Sequence, residues 1–118
     1  MKYKYPFTKQ EGLKNCACAC IQMIVKYYKG YISMSELENL LNTNKDGTSA
    51  YKIVEGLKKL GFESQGIKTT LNEISPQNLI LPCIAFVTID KKYNHYVVIY
   101  KINFNKKKIL IADPASYL

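Results

Sequence analysis

The sequence predicts an α+β domain, with helices in its first half packed on an antiparallel sheet formed by its second half. Three observations carry this prediction. Apolar residues recur at helical spacing from Cys16 to Leu60. From Cys83 to Ala112 the chain instead holds short apolar runs separated by turn residues. At 118 residues it reads as one domain, 1–118, large enough to bury a single core without metal or disulfide staples.

The first helix is expected from about Cys16 to Tyr28, where Ile21, Ile24, Val25 and Tyr28 recur at helical spacing, and it ends near Gly30. Ser33 or Ser35 can cap a second, short helix through Leu37, Leu40 and Leu41, with Glu36 and Glu38 in its first turn. Asp46-Gly47-Thr48-Ser49 is a turn that caps a third helix. Its apolar face is Ile53, Val54, Leu57 and Leu60, and it stops at Gly61. Phe62 to Lys68 reads as an edge strand, and residues 72–76 as a turn or a single helical turn. Cys83 to Ile89, Tyr96 to Asn103 and Lys108 to Ala112 then follow as consecutive strands. The run from Tyr96 to Tyr100 is apolar without alternation, which predicts a central strand covered on both faces.

Composition excludes several classes. No apolar run approaches the ~20 residues that span a bilayer, and the N-terminus Met1-Lys2-Tyr3-Lys4-Tyr5-Pro6 lacks the apolar core of a signal peptide. The chain as given is therefore expected to be soluble. Its net charge of +8 comes from lysine alone, since no arginine is present. Planar bidentate recognition of bases and phosphates is arginine chemistry, so nucleic acid is not expected as a partner. The charge favours an acidic peptide or an anionic membrane face instead. Lys106-Lys107-Lys108 reads as a solvated hairpin turn. Cys16, Cys18 and Cys20 are too tightly spaced to bridge one another, and they lack the usual spacing of zinc ligands. Reduced thiols, with no metal and no cofactor, are the expectation.

The chemistry-bearing residues converge on Cys16. It opens the first helix, where the positive end of the helix dipole favours a thiolate, the attacking species in thiol catalysis. The alternative for any cysteine in a small apolar segment is an inert core residue, the reading given to Cys20 and Cys83, whereas Cys18 is open between that and an oxidation-prone neighbour. The single histidine, His95, opens a strand, and Asp113 closes the next one. A turn at Phe104 and Asn105 makes those strands a hairpin whose opposed residue numbers sum to about 209. His95 then faces a residue within one or two positions of Asp113, close enough for a carboxylate to hold an imidazole. Taken alone, the pair reads sooner as a surface histidine beside a turn aspartate, and it is Cys16 that shifts the balance. Gln10 lies six residues before Cys16, where a loop can curl its amide back toward the thiol. Its N–H and the Cys16 backbone N–H could then stabilise an oxyanion. Nucleophile, base, orienter and oxyanion donor together point to a cysteine peptidase.

Gln10, Asn15-Cys16, Asp46-Gly47-Thr48-Ser49, Asn94-His95-Tyr96-Val97-Val98 and Asp113-Pro114-Ala115 resemble the bacteriocin-processing, double-glycine cysteine peptidase family. The match runs from Gln10 to Ala115 with matching order and spacing. That family forms the N-terminal peptidase domain of peptidase-containing ABC transporters and has a papain-like fold. The resemblance implies Cys16 as nucleophile, His95 as general base and acid, Asp113 as orienter and Gln10 as oxyanion donor. Where the family usually has aspartate and glycine, this chain has Asn15 and Ala17.

The resemblance further implies removal of a leader peptide after a Gly-Gly pair, coupled to export, at the cytoplasmic face of a bacterial membrane. The implied partners are a precursor peptide with an amphipathic, acidic leader and the transmembrane and ATP-binding domains of a longer transporter. The chain reads as a domain excised from the N-terminus of that transporter. A non-catalytic leader-binding domain is the alternative, and a thiol redox or metal protein using Cys16, Cys18 and Cys20 is a third class.

Overall fold

The computed structural model describes residues 4–12, 15–42, 48–89 and 93–115. Three helices precede three strands, in the order α1 (Cys16–Tyr27), α2 (Met34–Leu41), α3 (Ala50–Lys59), β1 (Cys83–Ile89), β2 (Tyr93–Asn103) and β3 (Lys108–Ala112). The architecture is α+β, as the sequence predicts. Helix α1 is buried continuously from Ala17 to Ile24, not along a single stripe. A helix apolar all round belongs at the centre of a fold, and α1 packs against β2 on one side and α2 on another. Ile21, Met23, Leu37, Leu41 and Ile53 join Tyr96, Val98 and Tyr100 in one core. Each fully buried aliphatic side chain there contributes about 1.5–3 kcal/mol.

The helix ends follow local chemistry. Past α1 the left-handed residue is Lys29 (φ 73°), one position before the expected Gly30, whose N–H closes the turn onto the Val25 carbonyl at 2.9 Å. Of the two candidate caps for α2, Ser33 is used. Its hydroxyl accepts the Glu36 N–H at 3.1 Å while the Glu36 carboxylate returns to Ser33, a capping box stabilising by about 1 kcal/mol. Ser49 caps α3 by accepting the Lys52 N–H at 3.3 Å. Asp46 and Gly47, the first half of the expected turn, lie outside the described residues. Gly56 is required where α2 meets α3, because a Cβ there would collide with the buried Leu41 side chain.

Residues 62–68 are not a strand. The alternation of Phe62, Ser64 and Gly66 mimics one, but among the described residues the sheet consists of β1, β2 and β3, and Ser64 Oγ donates instead to the Val54 carbonyl of α3 at 2.9 Å. The segment is therefore a wrap against a helix. Residues 71–73 and 76–78 form turns.

The sheet is antiparallel in the order β1-β2-β3. The central strand is buried at every residue from His95 to Tyr100, as its unalternating apolar run predicts. It begins at Tyr93, so His95 lies inside the strand opposite Val87 and does not open it. The hairpin turn occupies residues 104–107, with Asn103 opposing Lys108, so the register runs later than the predicted one. Lys106 N–H donates to Asn103 Oδ1 and Lys107 takes a left-handed conformation (φ 53°), which moves the turn centre past Asn105. A bulge between Ile99 and Lys101 recovers one residue of register, leaving Val98 opposite Ala112. His95 and Asp113 are thereby left just past the last paired residues, at one end of the hairpin.

Candidate active site

Cys16 is the first residue of α1 and is partly buried. Asn15 occupies the N-cap without a side-chain capping bond, and its backbone N–H turns back to the Gly12 carbonyl at 3.5 Å. The same carbonyl accepts Gln10 Nε2 at 2.6 Å. The Gln10 amide thus stands one carbonyl away from the residue that precedes Cys16. Its Oε1 is buried and has no hydrogen-bond partner among the described residues. The Gln10 backbone N–H donates to the Pro114 carbonyl at 2.9 Å, which fastens this loop to the end of the hairpin.

His95 Nε2 lies 2.5 Å from Asp113 Oδ1. The imidazole is only 1% exposed, whereas the Asp113 side chain keeps 34% exposure. An ionised carboxylate only accepts, so the proton between them belongs to Nε2, and Nδ1 is the basic nitrogen of the neutral ring. Asp113 Oδ1 also accepts the Ala115 N–H at 2.9 Å, and Pro114 between them is buried. The Asp-Pro turn therefore aims the carboxylate, and the carboxylate fixes the ring. The hairpin geometry and the turn chemistry bring His95 and Asp113 together, the two residues the sequence reads as a candidate base and its orienter.

Cys20 sits one turn along α1 from Cys16 and is fully buried. Burial pushes its thiol well above the usual range, with smaller contributions from Cys16, then Asp113, then Cys18. Cys16 also raises Tyr96, after burial, and Tyr96 follows His95 on β2. Helix α1, which Cys16 opens, packs against β2, the strand that carries His95. Cys18 is fully buried, which makes it a core residue and not the oxidation-prone neighbour that the sequence left open: α1 turns that face into the core. Cys83 is partly buried in β1, its thiol pushed up by desolvation.

A pH dependence of stability follows. Cys20, Cys83, Tyr96 and Tyr100 all have raised values in the fold, chiefly through burial. Each is an acid whose neutral form the fold prefers, so its contribution is complete below the unfolded value and is lost as pH rises through the folded one. The thermal midpoint of the reduced protein is expected to hold level from pH 7 to 8 and to fall steadily above about pH 9, where unfolded thiols and then phenols ionise. Melting curves monitored by circular dichroism at successive pH values check this. A midpoint unchanged at pH 11 would contradict it.

A groove of about 200 Å³ borders Asp113, lined by Tyr5, Phe7, Tyr100, Leu110, Ile111 and Ala112 beside the carboxylate. A larger one of about 400 Å³ runs along α3 between Tyr51, Val54 and Gly66 and contains none of the four candidate residues. Sequence reasoning missed Pro114 as an anchor for Gln10, because a backbone carbonyl leaves no residue-type signal.

The model of the Peptidase C39 family matches residues 4–117. The chain belongs to the Peptidase C39 family. It is therefore a cysteine peptidase domain. The lactococcin-G-processing and transport ATP-binding protein LagD of Lactococcus lactis subsp. lactis is 41% identical over 107 residues, covering 91% of this chain. The C39 chain spans only 15% of that protein's length. Among solved structures, the peptidase domain of Streptococcus ComA, a bi-functional ABC transporter involved in quorum sensing, is similar with a TM-score of 0.81 and 35% identity. That match covers 93% of this chain and 79% of the other. A double glycine motif protease from an AMS/PCAT transporter, solved in complex with the leader peptide, is similar with a TM-score of 0.78 and 25% identity, covering 93% and 74%. Among the described residues, no helix is long and apolar enough to cross a membrane.

Proposed function

We propose that this C39 domain removes the leader of a precursor peptide by hydrolysing the bond after a Gly-Gly pair, as the peptidase part of a longer ATP-driven exporter. The observation that carries the catalytic reading is the 2.5 Å contact between His95 Nε2 and Asp113 Oδ1. It leaves a single, oriented imidazole to serve the thiol at the start of α1. The processing and transport functions named for LagD, and the double glycine motif and leader peptide named for the AMS/PCAT protease, support the substrate class.

The roles divide as follows. Cys16 gives its proton to His95 Nδ1, and the thiolate attacks the carbonyl carbon of the second glycine. The Cys16 backbone N–H and the Gln10 amide N–H stabilise the oxyanion. His95 then protonates the departing amine, leaving a thioester on Cys16. Water, deprotonated by His95, releases the leader as a carboxylate and restores the thiol. Asp113 holds the imidazole tautomer throughout and stabilises its protonated form. Gln10 rests on the Gly12 carbonyl with a buried, unpartnered Oε1, a position that costs about 1–3 kcal/mol and so favours reorientation when an oxyanion forms.

Two glycines before the scissile bond fit a cleft too narrow for a β-carbon, which gives selectivity by exclusion. The net charge of +8 complements an acidic leader helix, and the parent protein's other domains hold this one at the cytoplasmic face of the membrane. Mass spectrometry of a synthetic precursor tests the substrate assignment. The expected product is a single cut after the second glycine, and replacing that glycine with alanine is expected to lower kcat/KM by at least about 10²-fold. Equal cleavage of the alanine peptide would remove the exclusion argument.

A further inference from the structure

The segment from Tyr5 to Gln10 belongs to no helix or strand, yet alternate residues along it are tied down. Tyr100 Oη donates to the Pro6 carbonyl, Thr8 Oγ1 donates to Gln22 Oε1 at 2.8 Å, and Gln10 N–H donates to the Pro114 carbonyl at 2.9 Å. Pro6, Thr8 and Gln10 are partly buried, while Phe7 and Lys9 between them are exposed. A spacing of two is that of an extended strap lying with one edge against the fold. Its anchors come from β2, from α1 and from the turn after β3.

Gln22 is the middle anchor, and its setting is polar where everything around it is not. It is the one amide in the buried stretch of α1 from Ala17 to Ile24 and is itself only 5% exposed. Both ends of that amide are used. Oε1 accepts from Thr8, and Nε2 donates to the Ile32 carbonyl at 2.9 Å. The Thr8 hydroxyl also accepts from Lys26 Nζ at 3.2 Å, so its own proton is directed at Gln22. A buried amide whose partners are all satisfied fixes geometry more than it adds stability. Helix α1 carries Cys16 at its start, and the strap carries Gln10 at its end. The Thr8 hydroxyl, bonded to Gln22 and to Lys26, ties the two together through side chains, and its bond to Gln22 is the shorter and more buried of these.

We propose that Thr8 and Gln22 are positioning residues for the peptidase reaction: their hydrogen bond sets where the Gln10 amide stands relative to the Cys16 thiolate. This rests on the oxyanion role given to Gln10 above. Neither residue needs to touch substrate. An oxyanion donor works only when held within hydrogen-bond distance of the developing charge, so a small shift of the strap lowers kcat and leaves ground-state binding alone.

Thr8→Val tests this, because it keeps the side-chain shape and removes only the hydroxyl, whereas replacing Gln22 would disturb the core. Thr8→Ser is the conservative control that keeps the hydroxyl. Kinetics on a synthetic Gly-Gly precursor are measured for both, for Gln10→Ala and for the Thr8→Val/Gln10→Ala double variant, each shown by circular dichroism to be folded at the assay temperature. Gln10→Ala is expected to lower kcat about 10²-fold. Thr8→Val is expected to lower kcat about tenfold with KM within about twofold, and Thr8→Ser to stay near wild type. The double variant is expected to be no slower than Gln10→Ala alone, since the strap has then nothing left to position. Additive losses in the double variant, or an unchanged kcat in Thr8→Val while Gln10→Ala loses activity, would overturn the positioning role and leave the oxyanion role standing. An unchanged kcat in Gln10→Ala would overturn the oxyanion role, and the positioning role with it.

Discussion

Replacing His95 with glutamine is expected to lower kcat on a Gly-Gly precursor by at least about 10³-fold, with KM within about threefold of wild type. The size of the loss comes from what glutamine keeps and what it lacks. It fills similar space where the His95 side chain is 1% exposed, and its amide can still donate to Asp113 Oδ1, so the partly exposed carboxylate keeps a donor. It cannot accept a proton from the Cys16 thiol or return one to the leaving amine. The thiolate fraction and the leaving-group step therefore fail together. Because His95 is the only histidine in the chain, no neighbouring imidazole can take over. Steady-state kinetics with a folded variant check the expectation. A His95→Gln protein within tenfold of wild type would mean that the proton moves through another group.

The pairing behind that prediction was legible in the sequence because a hairpin converts distance into arithmetic. Once two strands are joined by a short turn, the partner of His95 follows from the turn's position. The predicted turn was misplaced because Lys107 adopts a left-handed conformation that its residue type does not advertise. The error did no harm, since the bulge between Ile99 and Lys101 took back one residue and the Asp113 side chain covered the rest. Helix α1 was legible for a different reason: its first residue and its apolar run coincide, so Cys16 could be placed at an N-terminus from periodicity alone.

Other parts were not legible. The alternation at Phe62 to Lys68 is the pattern of a strand, but pattern does not supply a pairing partner, and the Ser64 hydroxyl found the α3 backbone instead. The strap from Tyr5 to Gln10 gave no periodic signal at all. Its ties run from a threonine hydroxyl, a tyrosine hydroxyl and a backbone N–H to partners far away in the chain. Gln22, set among Ile21, Met23 and Ile24, was the one residue that could have betrayed it, since a lone amide in an apolar helix has to find partners somewhere. Nothing in the structure accounts for Ala17 at the position where the resemblance leads one to expect glycine.

Cys16→Ala is expected to remove cleavage altogether, the largest effect any single substitution should have here. Alanine leaves α1 intact and has the higher helix propensity, so the fold and the His95–Asp113 pair should survive. The buried Cys18 and Cys20 cannot substitute, because neither reaches solvent, and Cys83 pairs with Ile99, four residues along β1 from Val87, which faces His95. What remains is whatever the oxyanion donors and binding contribute without a nucleophile. The decisive measurement is therefore mass spectrometry of a Gly-Gly precursor incubated under reducing conditions with wild type and with Cys16→Ala. The account predicts one cut after the second glycine by the wild type and an intact precursor with the variant. Cleavage at the same bond and rate by Cys16→Ala would contradict it, as would an intact precursor still bound to the wild-type domain, which would make the domain a leader-docking module.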